Sequence, residues 1–287
     1  FPVGLGPDML YASVIFVVLL FGLLLPVFGF FRNKKAVGIL SLLVAVVFLG
    51  VAHAKSSPSP ERQQPNSLLY YHHVETNKAY WATYNTEIDD WTRGYLGDTP
   101  EKATAYIGNA AGSKYNTPYS YAKETSVIKL PESKIRVSQD TVIGDLAYTT
   151  MTIVPQRTIH QIRLYTDIDT PFRYLSYNGK VFKPDSTETL YKKRGSNGIL
   201  SYYMTLGDSL EFTYAVPKEV TPTFTLKEFS YDLLDNPSFT ISARPKTTKP
   251  TPFVTNDAVI VERKIDVSEV LRKSPEVKND TIVVDLN

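Results

Sequence analysis

Two apolar runs at the head of the chain constrain its folding more than any other feature. From Met9 to Phe31 there is no charged side chain, and a second run from Ala36 to Ala54 carries only His53 near its end. At about 1.5 Å of rise per residue, the first run covers the roughly 30 Å of bilayer hydrocarbon and the second is about the minimum length for a crossing. The intervening Phe31-Arg32-Asn33-Lys34-Lys35 is long enough only for the turn of an antiparallel helix pair. Its three cations predict a cytoplasmic turn, because basic residues resist translocation. Everything after Lys55 is then expected on the opposite side, in the periplasm, the lumen or the extracellular space. A buried helical hairpin of a water-soluble protein is the plainer alternative, but two consecutive runs this apolar are rare in such folds. A cleaved signal peptide fits less well, since Phe1 to Asp8 has no positive n-region and a second span follows at once. The phenylalanine at position 1 reads as the tail of something longer. Ser41 with Ala45, and Gly50 with Ala54, are small residues one turn apart that would admit a neighbouring helix.

Charge is divided unevenly. Residues 1–55 carry Asp8, Arg32, Lys34, Lys35 and Lys55, while the whole chain of 287 residues has a formal net charge of only +2. The remainder is therefore about neutral, and the pI near 8.5 reflects residues beside a membrane segment, so no nucleic-acid partner is implied. With four histidines and no cysteine, the chain cannot build a zinc finger or an iron–sulfur site. The absence of cysteine also excludes a disulfide-stapled scaffold.

Four segments are expected: a transmembrane α-helical hairpin over 1–55, a Ser/Pro/Gln linker over 56–66, an all-β domain over 67–262 and a C-terminal edge strand or tail over 263–287. The linker has no apolar side chains to bury and reads as semi-extended. Beyond it the pattern has period two. Ser67–His72 and Lys78–Tyr84 are rich in Leu, Tyr and Trp, and the Val74–Asn77 spacer suits a hairpin loop. Further strands are predicted at 126–129, 135–138, 147–154, 159–166, 173–176, 180–182, 199–205, 209–214, 224–229, 238–243 and 258–262. Asn178-Gly179 is the strongest local signal, because both residues accept the positive φ of a type I′ turn. Leu206-Gly207-Asp208-Ser209 reads as a second tight reversal. Many short strands with few helical windows predict antiparallel sheets packed as a sandwich. One short helix is expected over Glu87–Leu96, stopped by Gly97. Asp98 to Tyr121 reads as a long Gly/Asn/Tyr-rich excursion of a length that often contacts something.

The motifs of hydrolysis and group transfer are missing. There is no His-Glu-x-x-His, Gly-x-Ser-x-Gly, phosphate-binding Gly-x-x-x-x-Gly-Lys or dinucleotide-binding Gly-x-Gly-x-x-Gly. The nearest approach to a metal cluster is His72-His73-Val74-Glu75, but adjacent strand residues point to opposite faces and cannot share an ion without a bulge. Glu87, Asp89 and Asp90, like Asp167 and Asp169, lack the grammar of a calcium loop and are better explained as helix-start and turn residues. Tyr70, Tyr71, Tyr80, Trp81, Tyr84 and Trp91 would suit either half-buried sheet surface or a sugar-stacking platform, with sheet surface the better fit. No residue is thus assigned a catalytic, cofactor-binding or metal role.

Asn66-Ser67-Leu68-Leu69-Tyr70-Tyr71, Asn77-Lys78-Ala79-Tyr80-Trp81-Ala82-Thr83-Tyr84 and Asp89-Asp90-Trp91-Thr92 resemble the region after the last membrane span of large bacterial membrane metallopeptidases. Those are aminopeptidase-like family-28 zinc peptidases, similar in layout to the endoplasmic-reticulum and vacuolar membrane peptidases of eukaryotes. Ser230–Pro237, Arg244-Pro245 and Pro252–Ile260 look like the close of that region, so the resemblance covers most of residues 9–260. It implies a non-cytoplasmic peptidase domain and a bundle of spans upstream, with a C-terminal β domain on the peptidase's side of the inner membrane. The two zinc ions of that family are held by histidine and carboxylate ligands in the upstream domain, and none of them maps onto this chain. The chain is accordingly expected to be the non-catalytic, anchoring and accessory end of such an enzyme. Its partners would be membrane lipid, the upstream peptidase domain and its helical bundle. Zinc would belong only to the full-length protein. A free-standing membrane-tethered module that binds glycans or envelope polymers, or an assembly subunit of a membrane complex, is the rival expectation, and a peptide or glycan is a further possible ligand.

Overall fold

The computed structural model describes residues 8–108, 117–182 and 197–273. The chain divides into two compact units, Phe1–Gln64 with Lys246–Lys249, and Pro65–Pro245 with Pro250–Asn287.

In the first unit, α1 (Asp8–Gly29) and α2 (Lys34–Ala54) coincide with the two apolar runs. Pro26 is tolerated in the last turns of α1, where its missing N–H forfeits a single bond to the carbonyl four residues back. Asn33 starts α2: its side-chain oxygen accepts from the Ala36 N–H at 3.1 Å, satisfying one of the orphan donors of a helix N-terminus. Neither helix finds a protein core. No residue of α2 is buried, and Leu23, Phe30 and Phe48 are among the most exposed large apolar side chains. The spans Tyr11–Gly29 and Lys34–Ala54, with mean hydropathies of 2.6 and 2.5, are long and apolar enough to cross a membrane. The cationic turn thus joins two helices of whose described side chains none is buried.

Strands build the second unit, with the strands Gln64–Asn66 and Thr248–Pro250 each shared in sequence between the two units. β1 (Gln64–Asn66), β2 (Leu69–His73) and β3 (Lys78–Thr83) are followed by α3 (Asp90–Leu96), β4 (Glu101–Lys102) and β5 (Tyr121–Thr125). Next come β6 (Lys134–Ile143), β7 (Leu146–Val154), β8 (Gln161–Thr166), β9 (Tyr174–Tyr177), β10 (Lys180–Phe182), β11 (Gly198–Tyr203) and β12 (Leu210–Pro217). β13 (Thr223–Ser230), β14 (Thr248–Pro250), β15 (Ala258–Asp266) and α4 (Val267–Lys273) complete the order. One sheet has five strands in the order β10-β9-β12-β7-β6, and another has eight in the order β11-β8-β13-β15-β2-β3-β5-β4. All neighbours in these two sheets are antiparallel except β15 and β2, which run parallel.

Side-chain alternation divides the eight-stranded sheet into two faces. Phe224 and Leu226 of β13, with Ile162 and Leu164 of β8, pack against Met151, Leu175, Phe212 and Tyr214 of the five-stranded sheet. Phe212 meets Phe224 edge-on at 5.4 Å across this layer, so the two sheets form a β-sandwich. Further along the same face, Tyr70, Ala79, Val259 and Val261 are covered by Trp91 and Leu96 of α3 and by Leu233 and Phe239. On the reverse face, Tyr71, Tyr80, Phe229 and Ile260 lie beneath Ala103, Ile107 and Tyr119.

Several sequence expectations are corrected here. Residues 126–129 form no strand because a phenol replaces the ladder: Tyr70 OH accepts from the Ile128 N–H at 2.8 Å and donates to the Ser126 carbonyl at 3.3 Å. Residues 238–243 likewise plug the core through Phe239 and Ile241, while the Ser242 N–H donates to Tyr95 OH at 2.8 Å. The Leu206–Ser209 reversal exists, with Gly207 at φ +87°, but it joins β11 to β12 in different sheets and makes no hairpin. The helix begins at Asp90 rather than Glu87, since Asp89 caps it. Residues 263–266 are no edge strand: they continue β15, which lies inside the sheet between β13 and β2, and 267–273 form α4. Residues 274–287 of the expected tail, and 109–116 of the expected excursion, lie outside the described residues. The rest of that excursion contributes β4, which pairs with β5, a strand absent from the sequence reading. Asn178 (φ +45°) and Gly179 (φ +78°) make the expected turn between β9 and β10.

Candidate functional site

On the reverse face of the eight-stranded sheet, the pleat brings together Lys227 of β13, Glu262 of β15, and Tyr71 and His73 of β2. The registers Lys227↔Glu262 and Glu262↔His73 make these direct neighbours. Lys227 Nζ lies 2.7 Å from Glu262 Oε2 and donates to Tyr71 OH at 2.8 Å. Its charge also sits 5.5 Å and 5.3 Å from the ring centroids of Tyr71 and Tyr165. Tyr71 OH donates to Glu262 Oε2, and His73 Nδ1 is 3.4 Å from Glu262 Oε1.

Burial raises the Glu262 carboxyl, but the hydrogen bonds from His73, Lys227 and Tyr71, with the charge of Lys227, outweigh it and hold the group at about 2. Tyr71 moves the other way. Burial, then the adjacent Glu262 charge, push its phenol well above 10. At neutral pH Glu262 is ionised and Tyr71 is a neutral phenol, and Lys227 and His73 are both engaged with that carboxylate. Such a set contains neither a free base nor an activated nucleophile; its chemistry is to lock β13, β15 and β2 in register.

A second polar knot occupies the opposite face. Glu228, 1% exposed, lies 3.6 Å from Arg157 Nη2 and 4.0 Å from Arg263 Nη2. Arg263 reaches the Glu132 carboxylate at 3.3 Å and also donates to the Ser133 carbonyl. Arg157 donates to Ser230 Oγ at 2.5 Å. Because 132–133 lie between β5 and β6, and Arg157 lies between β7 and β8, this knot ties down both of those passages between the two sheets.

An open groove of about 720 Å³ lies farther along the Lys227 face, between β8 and the Phe253–Asp257 loop. Its lining includes Gln161, Arg163, Tyr203, Tyr231, Phe253 and Asn256. Gln161 Nε2 donates to Ser201 Oγ at 2.7 Å and Gln161 Oε1 accepts from Tyr231 OH at 2.8 Å. The guanidinium of Arg163 lies 5.0 Å from the centroid of the Phe229 ring.

His72 and His73 diverge as the strand geometry requires. His73 faces Glu262 and the Tyr106 carbonyl, whereas His72 lies across the sheet beside Val127, Glu132 and Val261, where burial lowers its pKa. Glu75 accepts from the Lys264 N–H, and its charge still acts on His72. Among the described residues no group of three or more His, Asp or Glu is placed to hold a metal ion. Asp89 caps α3 by accepting from the Thr92 N–H at 2.8 Å, Asp90 pairs with Arg93, and Asp167 accepts from the Asp169 N–H at 3.1 Å in a turn.

The aromatics are mostly interior. Trp81 is set against Tyr70 at 5.4 Å, Tyr95 at 5.3 Å and Phe239 at 6.2 Å, so its faces serve the core rather than a flat sugar platform. Trp91 donates to Ser242 and carries Arg244 over its ring at 4.9 Å. Lys227, Glu262 and Arg163 belong to none of the sequence motifs. The available signal was adjacent charges, Lys227-Glu228, inside the apolar run Phe224–Phe229, since buried Lys and Glu almost always have partners.

Compared with known proteins, the chain matches no family model and no curated protein.

Proposed function

We propose that the chain is a membrane-anchored, non-catalytic β module: the accessory C-terminal part of a zinc metallopeptidase whose peptidase domain lies upstream. The exposure of two consecutive apolar helices carries the reading. Side chains such as Leu23, at 81% exposed, and Phe48, at 70%, are stable in contact with lipid and costly in contact with water. Arg32, Lys34 and Lys35 in the connecting turn favour the cytoplasmic side for that turn and the periplasmic side of a bacterial inner membrane for the sheets.

Two further considerations support an accessory role. The polar clusters of the sheet unit consume their own charges in ion pairs, and Asn66–Tyr71, Asn77–Tyr84 and Ser230–Pro237 resemble the post-span region of the aminopeptidase-like family-28 enzymes. In this reading the anchor holds the sheet unit beside the peptidase domain and the helical bundle. Zinc and the hydrolytic chemistry reside in that upstream domain.

The test is enzymatic. The 287-residue chain, purified in lipid nanodiscs, is expected to release no amino acid from aminoacyl-nitroanilide substrates, with or without added zinc. The upstream reading frame joined to it is expected to do so in a chelator-sensitive manner. Chelator-sensitive turnover by the chain alone, or an upstream frame without a peptidase domain, overturns the proposal.

A further inference from the structure

The groove between β8 and the Phe253–Asp257 loop has one unmet electrostatic requirement. Arg163 forms no ion pair among the described residues, and its Nε is buried without a hydrogen-bond acceptor. The four phenols whose ionisation its charge influences, Tyr84, Tyr119, Tyr165 and Tyr231, are all raised by burial and stay neutral near pH 7. The one carboxylate on the groove lining, Asp257, is already engaged by Arg244. Gln161 is used at both ends of its amide, by Ser201 and Tyr231, and the Asn256 amide donates to the carbonyls of Thr251 and Val254. The amides and the carboxylate of the lining are therefore engaged, while the guanidinium, hydrogen-bonded to the Tyr165 hydroxyl, keeps an unpaired Nε and has no carboxylate partner among the described residues.

That guanidinium is held in place by its stack on Phe229. A planar, fixed donor fork suits a carboxylate, whose two oxygens match two parallel N–H groups. A single cation also suits a singly charged ligand. Beside it the groove offers apolar surface: Tyr203 is 69% exposed, Phe253 46% and Tyr231 41%. Phe253 adopts φ +63°, a left-handed conformation that bulky side chains rarely take and that clusters at ligand-binding loops. The volume falls in the range of small-ligand sites.

We propose that this groove binds the carboxylate end of a peptide whose last residue is apolar, with the carboxylate on Arg163 and the side chain among Tyr203, Tyr231 and Phe253. The site is independent of whether a peptidase domain lies upstream.

The experiment is titration calorimetry on the full chain in nanodiscs, using acetyl-Gly-Gly-Phe as the free acid and as its C-terminal amide. An internal-acid peptide, acetyl-Gly-Asp-Phe-amide, and neutral chitotriose complete the set. The free acid is expected to bind about tenfold or more tighter than the other three, and Arg163→Gln is expected to abolish that preference. Phe253→Gly, which relieves the left-handed strain and removes the ring, is expected to weaken the acid severalfold while preserving the preference over the amide. Absent binding of the acid, equal binding of acid and amide, tighter binding of chitotriose or of the internal-acid peptide, or a preference that survives Arg163→Gln each overturns the proposal. The acid–amide comparison on the unmodified chain decides the matter even if Arg163→Gln does not fold.

Discussion

Glu262 and Lys227 show how a pleated sheet stores charge without exposing chemistry. Removing one partner leaves the other buried and uncompensated, which typically costs about 3–5 kcal/mol. Glu262→Gln is therefore expected to lower the urea unfolding free energy by that order, and Lys227→Met by a comparable amount. In a double-mutant cycle the pair should be less damaging than the sum of the singles. The pH dependence follows from the same contacts. The Glu262 carboxyl lies at about 2 in the folded chain against an ordinary 4.5. Its stabilisation, roughly 3 kcal/mol, is complete above pH 4.5 and is lost as the pH falls toward 2. The unfolding midpoint of the wild type should drop steeply across that window, and that of Glu262→Gln should be flatter.

Individual elements report which local signals decide structure. Asp89 caps α3 through the Thr92 N–H and hydroxyl, so Asp89→Ala should destabilise by about 1 kcal/mol in thermal or urea unfolding. Gly179 at φ +78° completes the β9–β10 turn, and Gly179→Val there should cost at least about 1 kcal/mol, because a branched side chain resists the left-handed region. Signals of this kind, a cap or an Asn-Gly pair, act within a few residues and were legible in the sequence. So were strands with clean alternation, such as β7 and β13. The segments 126–129 and 238–243 look like strands because their apolar alternation is real, but it serves a core plug. What satisfies their backbones is a hydroxyl from Tyr70 or Tyr95, more than fifty residues away in one case and almost 150 in the other. Register between strands distant in the chain was equally hidden, and with it the meeting of Lys227, Glu262 and Tyr71. No local pattern encodes that β15 runs parallel to β2.

At the scale of the whole molecule, two helices long and apolar enough to cross a membrane precede a sheet unit that we propose lies outside the cytosol. The helices were the most legible part of the sequence, because length and hydropathy alone specify them. Their sidedness rests on the three cations of one short turn, so Arg32→Glu combined with Lys34→Glu and Lys35→Glu should scramble the orientation in a reporter-fusion assay. The chain contains no cysteine, which permits a clean measurement with single introduced thiols. Leu206, at 91% exposed, marks the sheet unit, and Asn33 marks the connecting turn. In intact spheroplasts treated with a membrane-impermeant maleimide, Leu206→Cys is predicted to label, and Asn33→Cys to label only after the membrane is permeabilised. Labelling of Asn33→Cys in intact spheroplasts with Leu206→Cys protected would contradict the account.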